Sequence, residues 1–289
     1  MYEVISDLLS DKRSGTFTFK PFSPCHIIYL LLIGGAIALT IYLSRNKDQE
    51  TKKKIIEVTT ITALCLYIMD FFIMPFSQGE ISIDKLPFHV CTLMGIMCVL
   101  ARRTKTFAKF KTAFTLIGLA GGLAYMVYPV GVPIADGYSY RIIQTVIYHG
   151  LMIAQGVFAI AFKDIDLRWK SYKYDVMAIF FVLLWAMLGN TLYSGTVKEV
   201  CGCYIGCVKM VPVYTNEFNW FFTKHDVLYI INDSIDIYIA PIIMFVAFSG
   251  LVALVRLVGL ALLNEFDKNA ESYTNAYYIA EQSKICRAG

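Results

Sequence analysis

Charge is what this sequence has least of. Only 17% of its 289 residues are Asp, Glu, Lys or Arg, while 57% are hydrophobic and the mean hydropathy is +0.58. A water-soluble domain carries roughly 25% charged residues, so a soluble enzyme or binding module is excluded. The sequence has no low-complexity tract, and no internal repeat supports transporter-style duplication. Its basic residues form no single stripe, which removes nucleic-acid binding as a reading. The first 22 residues, MYEVISDLLSDKRSGTFTFKPF, mix both charge signs and lack an apolar core with a small-residue cleavage site. A cleaved signal peptide is therefore not expected.

What the chain does have is apolar runs bounded by charge. Crossing a hydrocarbon core of roughly 30 Å takes about 20 helical residues, and only elements that satisfy their own backbone do so. Helices are expected near 25–43, 55–76, 87–101, 112–130, 140–162, 174–193 and 234–262. The fold class is all-α, a polytopic seven-transmembrane-helix bundle forming a single membrane domain over 1–289. Pro21 and Pro24 precede the first helix, and Pro87 suits the first turn of the third.

Lys and Arg divide unevenly between the two sides of such a bundle. Arg45 to Lys54, Arg102 to Lys111 and Lys163 to Lys173 put fourteen on one side in three loops, against eight on the other. The positive-inside rule then sets the N-terminus outside and the C-terminus, with Lys268, Lys284 and Arg287, in the cytoplasm. The expected location is a bacterial plasma membrane or a eukaryotic endomembrane, crossed several times. The connection 193–233 is the one long external loop; it carries Cys201, Cys203 and Cys207 and the aromatics Phe218, Trp220, Phe221 and Phe222. Such a loop is a candidate lid. Cys25, Cys201, Cys203 and Cys207 fall outside, where disulfides form if the compartment is oxidising. A zinc site in the Cys201–Cys207 run is the competing idea, weakened by having three ligands at nonstandard spacing.

Ionisable and nucleophilic residues inside spans are costly and tend to face a functional interior. Asp70, Cys91 and His149 all fall at similar depth in the outer half of the expected bundle. A thiol, an imidazole and a carboxylate are the parts of a cysteine nucleophile with a base and an orienting group. The positive end of a helix dipole lies beside Cys91, and His89 points to a different face. Each residue also has a structural reading: the thiol as a small buried hydrophobe, His149 as an interhelical bond, Asp70 as a partner of Arg141. Gly118, Gly121 and Gly122 are expected to allow close helix packing, and Tyr125, Tyr128, Tyr138 and Tyr140 to form an interfacial aromatic belt. Asn190, Asp233 and Asp236 stand at helix ends, where they cap or line the same cavity.

The segment LPFHVCTLMG at 86–95, followed by YHGLMIAQG at 148–156, resembles the integral membrane family of bacterial YwaF-type proteins and eukaryotic transmembrane protein 164. Leu86, Pro87, Phe88, His89, Val90 and Cys91 match the opening of its third helix, and His149 the later histidine. The resemblance implies a heptahelical phospholipid acyltransferase in which Cys91 carries the acyl group as a thioester and His149 is the base. Asp70, His89, Tyr148 and Asn190 are then supporting or substrate-binding residues, the partners are membrane phospholipids and lysophospholipids, and neither metal nor cofactor is called for. The cysteine-containing segment 198–212 departs from the more polar stretch expected there.

Two rival classes stand beside this one. A lipid hydrolase would use water as acceptor, with the same Cys and His or with zinc on His26, His89, His149 and His225 near Asp70. A non-enzymatic seven-helix protein would use the polar cavity to bind or transport a lipid or small molecule.

Overall fold

The computed structural model describes residues 17–78, 86–129, 135–193, 199–204, 207–212, 221 and 233–268. Among these, seven helices carry the architecture: α1 Pro24–Ser44, α2 Gln49–Gln78, α3 Val90–Arg103, α4 Lys111–Val127, α5 Tyr140–Ala161, α6 Tyr172–Tyr193 and α7 Asp233–Lys268. Six are long and apolar enough to cross a membrane. The exception is α3, whose 14 residues span only about 21 Å.

α3 starts later than the proline suggested. His89 is its N-cap residue, with extended backbone, so Pro87 stands ahead of the helix and not in its first turn. The Pro87 carbonyl instead accepts a hydrogen bond from Trp185 Nε1 of α6 at 2.8 Å. Other boundaries moved outward: α2 continues to Gln78 and α7 to Lys268.

Each helix shows its position by which residues it hides. α1 exposes Leu31, Leu32, Leu39 and Leu43 and buries only Cys25, His26 and Ser44, as expected of a helix at the lipid-facing edge. Ser23 caps it by accepting from the His26 N–H at 3.2 Å. α5 lies at the centre, packing on α1, α2 and α4. The α4–α5 contact is close because glycines line it. A Cβ on Gly156 would sit 2.6 Å from Leu119 Cβ, and one on Gly122 would meet the His149 carbonyl at 3.4 Å. Small residues let backbones approach where lipid supplies no hydrophobic drive between helices.

Outside the helices, two antiparallel pairings organise the connections. β1 Thr18–Phe19 pairs with β2 Ala135–Asp136, tying the segment before α1 to the α4–α5 connection. The Tyr29 hydroxyl adds a 2.6 Å bond to the Gly137 carbonyl, and Cys25 packs against the same glycine. β3 Glu199–Tyr204 pairs with β4 Cys207–Pro212, so part of the long connection is a hairpin. Phe221 of that connection is buried, edge-on to Phe248 of α7 with ring centroids 4.9 Å apart. His225 and the aromatics Phe218, Trp220 and Phe222 lie outside the described residues.

Candidate functional site at the α3, α4 and α5 contact

The Leu86 to Cys91 motif is held in place from three sides. Phe88 stacks on Trp185 of α6, with centroids 5.2 Å apart, and fills the space left by Gly189. Val90 and the Cys91 thiol lie against Gly121 of α4, where an added Cβ would be 3.5 Å from Val90 Cγ1 and 3.7 Å from Cys91 Sγ. The Tyr148 hydroxyl of α5 donates to the Cys91 carbonyl at 2.8 Å. That hydroxyl has room only because position 95 is glycine, since a Cβ there would be 2.7 Å from it.

His149, the residue after Tyr148, is buried. Its Nδ1 lies 2.8 Å from the Thr145 carbonyl one turn back. A carbonyl only accepts, so Nδ1 carries the proton and Nε2 is the acceptor of the neutral ring. Such a second bond fixes the tautomer and orientation of an imidazole, the condition a general base requires. Tyr125 of α4 stacks flat on His149, with centroids 3.8 Å apart and planes at 8°. Because Tyr125 is one turn beyond Gly121, the α4 face that seats the Cys91 thiol continues directly into the ring that covers His149.

Asp70 is buried in α2, beside the N-terminal turn of α5, where it hydrogen-bonds Tyr140. Tyr67, one turn earlier on α2, packs on Tyr148 with centroids 6.4 Å apart. Cys91, Tyr148 and His149 thus converge on one three-helix contact, with Asp70 at its α2 border. His89 is exposed at the N-cap of α3 and its side chain makes no cap bond, while Asn190 is buried next to Gly189 behind Phe88.

Two tyrosines expected in an aromatic belt belong to this site instead. Tyr125 covers His149 and Tyr140 binds Asp70, whereas Tyr128 and Tyr138 are exposed as a belt requires. The spacing Gly121-x-x-x-Tyr125 was the signal available for Tyr125. Sequence reasoning also passed over Arg256, an arginine within the apolar run of α7. Its guanidinium is fully buried, bonding Asp175 of α6 at 2.6 and 3.0 Å and the carbonyls of Asp166 and Arg168 at 3.1 and 2.9 Å. A lone ionisable residue in a span was itself the clue.

Of the histidines in the zinc arrangement, His26 is already committed to the backbone. His26 Nδ1 accepts from the Phe22 N–H at 3.0 Å and Nε2 donates to the Met126 carbonyl at 2.8 Å, so both nitrogens hold backbone. Among the described residues, no three His, Cys, Asp or Glu side chains are grouped as metal ligands.

Taken together, the helices and the buried motif define a multi-pass α-helical integral membrane protein with a polar contact inside its bundle. Residues 21–258 match the TMEM164 family, and the chain belongs to that family. No curated protein and no solved structure matches it.

Proposed function

We infer that this chain is a membrane phospholipid acyltransferase working through a Cys91 thioester, with His149 as base. The observation that carries the reading is the Tyr148 bond to the Cys91 carbonyl, which ties the motif cysteine to the residue preceding His149. Family membership and the fixed His149 tautomer add to it.

In the first half-reaction His149 Nε2 takes the thiol proton and Cys91 Sγ attacks the carbonyl carbon of a phospholipid ester. A C–S bond forms, the ester C–O bond breaks, and the departing lysolipid alkoxide receives the proton from His149. In the second, a lysolipid hydroxyl gives its proton to His149 and attacks the thioester; the new C–O bond forms as the C–S bond breaks, and the proton returns to the thiolate. With water as acceptor the same steps give a hydrolase. In this proposal α3 completes a seven-crossing path in one domain, with the N-terminus outside and the C-terminus cytoplasmic, and the substrates are phospholipids and lysophospholipids.

Purified protein in phosphatidylcholine vesicles with an alkyne-tagged acyl chain provides the test. Wild type is expected to acquire a hydroxylamine-labile tag that Cys91→Ala lacks. Equal labelling of Cys91→Ala, or no labelling of a folded wild type, overturns the mechanism. Tag transfer on adding lysophosphatidylcholine marks a transferase, while free tagged fatty acid without it marks a hydrolase.

A further inference from the structure

A cavity among the described residues lies away from Cys91, on another flank of α3. It is a groove of about 570 Å³ between α3, α4 and α6, walled by residues such as Leu93, Met97, Phe110, Phe114, Phe181 and Trp185. Phe181 and Trp185 are 59% and 40% exposed, so the groove opens sideways from the bundle. The small side chain of Ala178 on α6 is part of the groove's wall. Ala178 and Trp185 are seven residues apart on α6, about 10 Å, which fits within one leaflet of a hydrocarbon core roughly 30 Å thick.

One end of the groove is basic. Most cations around that end are already engaged: Arg102 and Lys111 pair with Asp164, Arg103 with Glu57, Arg168 with Asp166 and Arg256 with Asp175. Among the described residues Lys105, Lys109, Lys170 and Lys173 are not, and two of these, Lys109 and Lys173, sit against the aromatic rim of the groove. Both are exposed, and among the described residues neither has a carboxylate partner. Lys109 Nζ is 5.3 Å from the ring centre of Phe110, a groove wall residue, and Lys173 Nζ is 5.2 Å from that of Tyr174. Tyr174 in turn meets Phe110 edge-on at 5.7 Å. The two ammonium groups therefore flank one aromatic rim.

We propose that this groove is a binding site for an anionic phospholipid, with an acyl chain along α3 and α6 and the phosphate on Lys109 and Lys173. Each half of the site selects for part of that molecule. An apolar slot opening sideways among membrane-spanning helices meets acyl chains before anything else, and the surrounding tails fill it without a desolvation cost. Two unpaired lysines at the level where a helix leaves the hydrocarbon attract negative headgroups, each adding about fivefold to affinity. The one polar side-chain group of the wall, Trp185 Nε1, already donates to the Pro87 carbonyl, and no nucleophile lines the groove, so it binds the lipid without reacting with it. The site is independent of Cys91 and stands whether or not the chain is an acyltransferase.

Full-length protein reconstituted with phosphatidylcholine containing phosphatidylglycerol is the material for the test. Native mass spectrometry after mild delipidation reads the retained lipid, and brominated chains report contact by quenching Trp185 fluorescence. Wild type is expected to retain phosphatidylglycerol over phosphatidylcholine, with retention falling as salt rises. The pair Lys109→Ala/Lys173→Ala should lose this preference by about twenty-five-fold, while Lys53→Ala/Lys54→Ala, on the exposed α1–α2 side, should keep it. Met97→Trp, filling the slot, should lower both retention and the quenching of Trp185, assigned by difference against Trp185→Phe. Equal retention of the two lipids by wild type overturns the proposal. So does an equal loss in both lysine pairs, which marks general surface charge, or a Met97→Trp variant of unchanged melting temperature that binds as wild type does.

Discussion

The hydroxyl of Tyr148 donates to the carbonyl of Cys91 across 2.8 Å, and the absent side chain at Gly95 is what lets it in. Tyr148→Phe keeps the ring against Tyr67 and loses only this bond, so a stability loss of about 1 kcal/mol is expected. Gly95→Ala should cost more, about 1–3 kcal/mol, because its methyl group falls on the hydroxyl oxygen. Combining the two removes the clash along with the bond, and the double variant should be more stable than Gly95→Ala alone. Thermal melts of the detergent-solubilised protein measure all three; additive losses would show that hydroxyl and glycine do not share one space.

His149 has two duties that substitution separates. Its ring packs flat on Tyr125, and its Nε2 is the acceptor in the proposed proton transfer. His149→Phe retains an aromatic face and should melt within about 1.5 kcal/mol of wild type, while acyl labelling of Cys91 falls by about 100-fold or more. Tyr125→Leu should do the reverse in kind, loosening the imidazole and lowering labelling modestly while the base remains. If His149→Phe labels Cys91 at the wild-type rate, the imidazole serves packing alone.

How far the sequence reached depends on the kind of signal. The helices were legible because membrane spans are long apolar runs whose ends carry charge, and each of the seven runs overlaps a helix, six of them long and apolar enough to cross a membrane. Their ends were less so. Pro87 fits a helix start equally well from inside or just before it, and the extended backbone of His89 at the N-cap places it before. Cys91 and His149 of the candidate site stood out in the sequence as nucleophilic and ionisable groups inside apolar runs. Tyr125 did not, because a tyrosine near a span end usually faces the interface and only the flat stack on His149 assigns it inward. Phe221 was unreadable for a different reason: its burial depends on Phe248, 27 positions away in a separate element.

Acid should loosen the loop between α5 and α6. Asp166 lies outside the spans and accepts a forked pair of bonds from Arg168 at 2.9 and 2.8 Å, which holds its carboxyl below the usual carboxylate range. A carboxyl lowered on folding stabilises the fold above its unfolded value of about 3.9 and loses that contribution as pH falls through the lower folded value. The pair is partly exposed, so the effect is small and salt-sensitive. Asp166→Asn should therefore melt slightly lower than wild type at pH 6 and show a flatter decline below pH 4; parallel curves would mean the fork holds nothing.

The Arg256 and Asp175 pair should be the most fragile point of the bundle. Both side chains are fully buried, and Arg256 also bonds the carbonyls of Asp166 and Arg168 and the Ser171 hydroxyl, joining α7 to the start of α6. Arg256→Met preserves much of the volume but strands an acid in an apolar contact, a loss of about 3–5 kcal/mol. At 2–4 °C per kcal/mol for a chain of this size, the melt should fall by roughly 6–20 °C. Asp175→Leu alone strands the guanidinium and should be similarly costly. The two together leave no buried charge and forfeit only the carbonyl bonds, so Arg256→Met/Asp175→Leu should recover more than half of either single loss. A double variant no more stable than Arg256→Met alone would mean that Arg256 acts chiefly through the loop carbonyls, and that Asp175 holds it in position for them.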